Sequence, residues 1–579
     1  MAEAIVRVIA TLTRWPLSRY AEGIGLALLV AFFALMNACW IWRYRCGKPF
    51  DIDEAGYLGF SLFDYHAFVS PDGGPVAWWQ AVTSPSIYAP VMMGLSSLSY
   101  VVLGPTEFAG FLTPVLFGIV AVGASYFIGK RLGGTQLGFV AAVLVATCPA
   151  MINWARNYNF PMPAAAITTL TVLALLKSER FTRIGWSVAF GVSLGLLPLS
   201  RSMCLAFVPG IVIAAACQVM IGERRLTRAA VFVGSLALAG LVSATWLARS
   251  GLLVWQYLFS YGYGARSVDS GHKENLFSYS AWLDTVRQLS AHMHFPYLAV
   301  LAVGALSLGV LAVRSIQLNG WRRALGDLFA SPILPVLLVL AEGVIALTST
   351  GNKGTGFIVT FVPLMLVVSA WSILNISKGS ATVASLTMAT AAFLCLPLLD
   401  LSLPFARPWT ASVPFLGVVT ITDGRGYIQI WEGGRMDQRA AVGWRVANRL
   451  ASQGLVANGP AGVRIGLGFQ NPFVNANTIS IERWLETAGG NGHTFYPPLN
   501  PAATGDSVAG YVRWLNEREP TPLCLLLTEA GETAHFGSVI TQQYMEEAAR
   551  RTGFVPVASW PLPDGAVLTL RRRSSTCGA

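Results

Sequence analysis

Three carboxylates crowd into four residues of the segment Phe50-Asp51-Ile52-Asp53-Glu54-Ala55-Gly56-Tyr57. Such a cluster suits a general base or a metal ligand. It equally suits a solvated helix N-terminus whose acids complement the macrodipole. A second segment, Trp154-Ala155-Arg156-Asn157-Tyr158-Asn159-Phe160-Pro161, sets one cation among rings and amides. That mixture binds a phosphate or a sugar, or lets an arginine snorkel to lipid headgroups. Arg201, in Leu199-Ser200-Arg201-Ser202, has the same two readings. Lys353 stands alone in the glycine-rich run Thr350-Gly351-Asn352-Lys353-Gly354-Thr355-Gly356-Phe357, which suits an anion or only a tight turn. The spacing is not that of a P-loop.

A fifth candidate is the aromatic stretch near 248–295, with Trp255, Tyr257, Phe259, Tyr261, Tyr263 and Trp282. Rings of this kind stack on sugars or seat at a membrane interface. His272, Lys273, Glu274, His292 and His294 accompany them. His292 and His294, two residues apart, do not share a helix face, and the eight cysteines show no ligand spacing, so no metal ligand is assigned.

The elements that position these groups follow from composition. Charged residues make up 12% of the 579, hydrophobic ones 54%, and the mean hydropathy is +0.55. A soluble domain carries about 25% charge. The chain is therefore a polytopic membrane protein, and disorder, a coiled coil and a disulfide scaffold are excluded. The net charge of +11 does not indicate nucleic acid. From residue 408 onward 14 Arg face 13 Asp and Glu, so the excess of +10 lies in the apolar part, mostly in short loops.

Apolar runs predict about eleven transmembrane helices, near 22–42, 107–129, 135–152, 161–177, 184–200, 203–221, 229–247, 296–313, 331–350, 355–374 and 381–402. The first is too long for a signal-peptide core and no cleavage motif follows, so it reads as an anchor. Region 78–103 is apolar but broken by Pro85 and Pro90, as a re-entrant or interfacial segment would be. One set of loops holds 12 basic residues: Lys130, Arg131, Lys177, Arg180, Arg183, Arg224, Arg225, Arg228, Arg314, Arg322, Arg323 and Lys378. The short loops of the other set hold Arg156, Arg201 and Lys353, one each. The positive-inside rule puts the first set and the N-terminus in the cytoplasm.

A domain boundary is expected near residue 408, with a transmembrane domain over 1–407 and an extracytoplasmic α/β domain over 408–579. The tail lacks lysine. Strand-like runs Val463–Leu467, Leu523–Thr528 and Ala566–Leu570 alternate there with helix-like stretches Asp437–Ser452, Ser507–Arg518 and Thr541–Arg551.

This topology sets Asp53, Glu54, Arg156, Arg201 and Lys353 on one side. A carboxylate base with several cations is what a reaction on a membrane-bound phosphate ester requires. The cations hold the leaving phosphate, and the carboxylate takes a proton from the attacking hydroxyl.

At these residues the sequence resembles the GT-C superfamily of integral-membrane glycosyltransferases. The nearest branch is that of protein O-mannosyltransferase-like and aminoarabinose-transferase-like enzymes (glycosyltransferase family 39-like). The motifs are Asp53-Glu54-Ala55-Gly56-Tyr57 after the first helix, then Ser84-Pro85-Ser86-Ile87-Tyr88 and Gly129-Lys130-Arg131-Leu132-Gly133-Gly134. Leu199-Ser200-Arg201 ahead of Pro209, and Asn352-Lys353 ahead of Pro363, complete them. The oligosaccharyltransferase W-W-D-Y-G signature is absent from the sequence.

The resemblance implies a GT-C fold and a polyprenyl-phosphate sugar donor used outside the cytoplasm, with inversion at the anomeric carbon. Asp53, with Glu54, would be catalytic. Arg156, Arg201 and Lys353 would bind the donor phosphate. Asp51, Tyr57, Tyr88, Asn159, Tyr261 and His272 would contact substrate, under a roof made by outer loops 43–106 and 248–295. No cofactor is assigned; a divalent metal is compatible with the carboxylates. The expected partners are the donor, membrane lipids and an envelope glycan, lipid or protein acceptor. The expected location is the bacterial inner membrane, with the tail in the periplasm. The rival reading is a transporter or flippase for a lipid-linked sugar, for which Glu342 is the clearest ionisable residue inside a span.

Overall fold

The computed structural model describes residues 19–47, 50, 52–221, 223–264, 278–351, 354, 356–377, 380–399 and 409–422. In the C-terminal region it describes 431–432, 435–436, 464–469, 477, 481, 494–496, 506–516, 523, 525–530, 534–535, 538–561 and 567–573. Two compact units emerge. The first is Met1–Arg43, Val82–Leu95 and Phe111–Tyr427; the second is Tyr44–Ala81, Ser96–Gly110 and Ile428–Ala579.

The fold is a polytopic helical one with a small C-terminal sheet region, and every predicted span has a helical counterpart. In chain order these are α1 (Arg19–Tyr44), α2 (Ile52–Val69), α3 (Pro75–Val82), α4 (Val91–Leu103), α5 (Glu107–Thr147), α6 (Pro149–Ala155) and α7 (Pro161–Lys177). There follow α8 (Ile184–Ser200), α9 (Val208–Met220), α10 (Arg225–Gly262), α11 (Tyr279–Ala330), α12 (Leu334–Ser349), α13 (Val362–Ile376) and α14 (Ala381–Leu394). Short 3-10 turns, Ser202–Phe207 and Ile358–Phe361, lead into α9 and α13. Among the described residues six helical segments are long and apolar enough to cross a membrane, and shorter apolar helices accompany them.

Several helices depart from the predicted bounds for physical reasons. α10 has 38 residues, or about 57 Å at 1.5 Å per residue, against about 30 Å of hydrocarbon. Its aromatic end continues as helix beyond the apolar stretch. α11 spans 52 residues but breaks at His294 (φ 60, ψ 156) and Gly320 (φ 73, ψ 155). α5 breaks at Gly133 and Gly134. Its two arms then meet at Gly129 and Gly138, where a Cβ on Gly129 would stand 3.0 Å from the Gly138 Cα. The expected outer loop 43–106 contains helices, with a non-helical stretch at 83–90 where Pro85 and Pro90 stand.

Inside the first unit, small residues let helices touch. Gly191 and Gly195 of α8 lie one turn apart and face Ser235 and Ala239 of α10. A Cβ at either glycine would stand 2.6 Å from the facing carbonyl oxygen. This small-xxx-small seam replaces the hydrophobic drive that lipid does not supply. The Ser243 hydroxyl adds a bond to the Gly195 carbonyl at 2.9 Å. α11 and α13 meet the same way at Gly304 and Ser369, with the Ser372 hydroxyl on the Gly304 carbonyl at 2.8 Å. The basic connections share one end: Lys130 pairs with Glu22, Arg131 and Arg183 pair with Glu179, and Arg180 reaches the Ala330 carbonyl. A hairpin of β1 (Trp409–Val413) and β2 (Gly417–Thr422) packs β2 on α11.

In the second unit β3 (Arg464–Leu467), β4 (Thr494–Tyr496), α15 (Val508–Asn516), β5 (Leu525–Ala530), α16 (Gln542–Arg551), β6 (Phe554–Pro561) and β7 (Val567–Arg573) form an α/β layer. The sheet order is β6-β7-β5-β3-β4, with β4, β3 and β5 parallel and the β6–β7 hairpin antiparallel. Tyr511, Trp514, Leu526, Met545 and Phe554 fill its core. The expected helix Asp437–Ser452 lies outside the described residues. α2, in the segment between the first two spans, is inside-out. Phe60 and Phe63 face outward, while Glu54, Ser61 and Asp64 are buried. The Ser61 hydroxyl meets the Tyr100 hydroxyl at 3.1 Å.

We expect Gly191→Leu to destabilise the detergent-purified protein by about 1–3 kcal/mol. Gly234→Leu, with open space around it, should leave the unfolding temperature unchanged; equal effects would refute the seam. Burial pushes the Asp64 carboxyl up to about 7 from an ordinary 3.8. The protonated form then stabilises the fold fully below about pH 4, and that contribution is lost as pH rises through 7. Thermal unfolding across this window should show Asp64→Asn flattening the decline; an unchanged slope would contradict it.

Candidate active site

The second unit presents the acids. Consecutive helical residues point about 100° apart, so Asp53 and Glu54 in the first turn of α2 cannot face the same way. Asp53 is exposed. Glu54 is 1% exposed and forms an ion pair with Arg45, itself fully buried. Removing one partner of such a pair leaves an uncompensated buried charge and is strongly destabilising. Arg45 sits in the turn that closes α1, and the next residues are tied down where the Gly47 N–H donates to Glu107. Tyr57 is buried on the same side as Glu54. From the C-terminal region Asn477 Nδ2 donates to the Ile52 carbonyl at 2.9 Å. Gly56 leaves room for that amide, because a Cβ there would stand 2.9 Å from Nδ2. Asp51 lies outside the described residues.

The first unit presents the cations. Arg156 follows α6 and is 1% exposed. Its Nε donates to Asn37 Oδ1 at 2.8 Å, and its guanidinium lies 4.4 Å from the centre of the Trp40 ring. Asn37 and Trp40, three residues apart, share a face of α1. Asn37 Nδ2 in turn donates to the Phe33 carbonyl at 2.8 Å. Arg201 ends α8 in an extended conformation (φ −161, ψ 125) ahead of the 3-10 turn. Its guanidinium lies 4.2 Å from the centre of the Phe357 ring. Phe357 belongs to the glycine-rich turn, whose Lys353 is outside the described residues.

That turn also meets the Arg156 segment. Gly356 has φ +78, and a Cβ there would stand 2.6 Å from both Trp154 Cζ2 and Pro161 Cγ. Its N–H donates to His292 Nε2 at 3.2 Å, and the His292 ring packs 5.8 Å from that of Trp154. The Trp154–Pro161 segment, Arg201 and the glycine-rich turn are thus brought together at one end of the unit. Two residues beyond His292, the break at His294 occupies backbone space that costs a non-glycine residue about 1–3 kcal/mol. The break separates His292, on Gly356, from Tyr297, whose hydroxyl meets Thr147 at 2.6 Å.

The remaining predicted contacts have local roles. Asn159 Oδ1 accepts the Phe160 N–H at 2.8 Å, shaping the turn into α7. The Tyr88 N–H donates to Ser86 Oγ at 3.0 Å, and the Ser86 N–H to Ser250 Oγ of α10 at 3.2 Å. Tyr261 stacks on Tyr257 at 4.7 Å, one turn earlier. His272 is outside the described residues. Among the described residues no group of three or more His, Cys, Asp or Glu is placed to hold a metal.

Sequence reading missed Asn37, Trp40, Arg45, Asn477 and His292. A lone amide within an apolar span was the available sign for Asn37. For His292 the sequence offers only its two-residue spacing from His294, which bears on metal ligation and not on an acceptor role.

Residues 88–248 match the family model described as dolichyl-phosphate-mannose-protein mannosyltransferase. No curated protein matches the sequence. Among solved structures, ArnT from Cupriavidus metallidurans in the apo state aligns at 13% identity with a TM-score of 0.56, over 96% of this chain and 100% of its own. The same enzyme bound to undecaprenyl phosphate aligns at 13% identity with a TM-score of 0.55, over 96% and 99%. The arabinofuranosyltransferase AftD from Mycobacteria gives 14% identity and 0.54, over 95% of this chain and 40% of its own. The likeness to these solved structures is one of fold, and the family match covers residues 88–248 alone.

Proposed function

We propose that the protein is an inverting glycosyltransferase. It moves one sugar from a polyprenyl-phosphate donor to a hydroxyl of an envelope lipid, glycan or protein, on the outer face of the bacterial inner membrane. The observation that carries this reading is the division of labour between adjacent acids. Asp53 is exposed at a helix N-terminus, and Glu54 is locked to Arg45 behind it. A base must be accessible and also fixed, and this pair supplies both. The gathering of Arg156 and Arg201 around one turn supports a phosphate site, as does the ArnT structure solved with undecaprenyl phosphate.

In the reaction, the Asp53 carboxylate accepts the proton of the acceptor hydroxyl. The hydroxyl oxygen forms a bond to the anomeric carbon as the bond from that carbon to the phosphate oxygen breaks. The bonding pair leaves with the polyprenyl phosphate, whose added charge Arg156, Arg201 and Lys353 stabilise. A single displacement inverts the anomeric centre. Glu54 is the positioning residue for Asp53. Tyr57, Asn159, Tyr88, Tyr261, His272 and Asp51 shape the substrate sites. The rival flippase reading rests on Glu342, whose carboxylate packs against Gly210 between spans.

Transfer of radiolabel from a polyprenyl-phosphate sugar in detergent separates the two, since a flippase forms no glycosidic product. Asp53→Asn should lower transfer by about 10²–10⁴-fold with normal insertion and folding; wild-type turnover by that variant removes the mechanism. Arg201→Ala should weaken donor binding more than Arg156→Ala. Donor titrations indistinguishable from the unmodified protein would remove both phosphate roles.

A further inference from the structure

We propose that His292 is a positioning residue of the donor-phosphate site, holding the glycine-rich turn so that Phe357 seats Arg201. The inference rests on the reading of Arg201 as a phosphate contact and adds the group that fixes it. The Gly356 N–H donates to His292 Nε2, so that nitrogen carries a lone pair and the ring is neutral, with its proton on Nδ1. The turn is closed on the other side too. Gly356 lacks the β-carbon that would strike Trp154 and Pro161, and its positive φ suits glycine. Gly356 is therefore clamped between the imidazole and the Trp154–Pro161 wall. Phe357 is the next residue, and its ring lies 4.2 Å from the Arg201 guanidinium.

A ring at that distance orients a guanidinium without cancelling its charge. A cation that contacts a phosphate needs its orientation fixed. Holding the ring in turn requires holding its backbone, and His292 supplies an acceptor for the adjacent buried amide. The bond is specific to an acceptor at that point. Glutamine can present one through its side-chain carbonyl, whereas phenylalanine keeps the ring against Trp154 and cannot accept.

The test uses the full-length protein in detergent, with undecaprenyl phosphate as the titrated probe. Binding is measured for the unmodified protein, Arg201→Ala, His292→Phe, His292→Gln and Gly356→Ala. Hydrogen exchange is followed over a peptide covering residues 354–358. His292→Phe should weaken binding about 3–10-fold, the effect of one lost hydrogen bond, and speed exchange of that peptide. His292→Gln should restore both. Gly356→Ala, which disturbs the turn from its other side, should weaken binding like His292→Phe and serves if that variant does not fold. Faster exchange with unchanged binding in His292→Phe overturns the positioning role alone, as does equal loss in His292→Gln. Failure of the unmodified protein to bind the probe, or unchanged binding in Arg201→Ala, overturns the donor reading itself.

Discussion

A guanidinium cannot be buried at a bilayer edge without a group to meet it. Of the arginines buried among the described residues, Arg45, Arg156 and Arg201 show two kinds of contact. Arg45 receives a carboxylate, Glu54, so the pair is electrically closed and serves as an anchor. Arg156 receives an amide and an indole, and Arg201 a phenyl ring. Amide and ring fix the orientation of a cation. All three are cations at the ends of apolar helices, each held by contacts from another part of the chain.

The same constraint explains where the acids stand. An unpaired carboxylate within lipid is as unfavourable as an unpaired cation. Asp53 stands in the first turn of a helix, where the macrodipole favours a negative charge. Glu54 turns inward only because Arg45 awaits it. Asn477 then fixes the residue immediately before Asp53 by its carbonyl, so that the first turn of α2 is held both by its own buried side and by the C-terminal region.

Much of the fold was legible because hydropathy reports directly on lipid crossing. The run that became α7 or α8 could be little else, and the basic loops sorted themselves by side. Less legible were segments that are helical without being lipid-crossing. α2 keeps its polar residues inside and Phe60 and Phe63 outside, so an amphipathic reading has no conventional core face to find. The aromatic end of α10 continues a helix past the point where hydropathy falls. Among the candidate residues, types alone pointed to Asp53, Arg156 and Arg201, but not to which acid faces outward, since the pattern Asp-Glu is symmetric until Arg45 is known. Asn37 reaches Arg156 across 119 residues. No local signal encodes such a pairing. His292 had to be met as an acceptor for an amide before its role was visible.

The three cation-bearing connections also share one construction. Arg156 is followed after a short turn by α7, which opens on Pro161. Arg201 is followed by a 3-10 turn and then α9, with Pro209 in its first turn. The glycine-rich run leads through another 3-10 turn into α13, with Pro363 in its first turn. Proline at that position forfeits an N–H that the helix would not have bonded and arrives with its φ already set. Each cation is thus succeeded by backbone with little freedom left to lose. The two 3-10 turns pack on each other where the Phe207 and Phe361 rings meet edge to face at 4.7 Å. Flexible glycines and long basic side chains would otherwise make a poor anion site. The rigid turn and proline placed after each one are what allow these loops to hold a charge in a defined position.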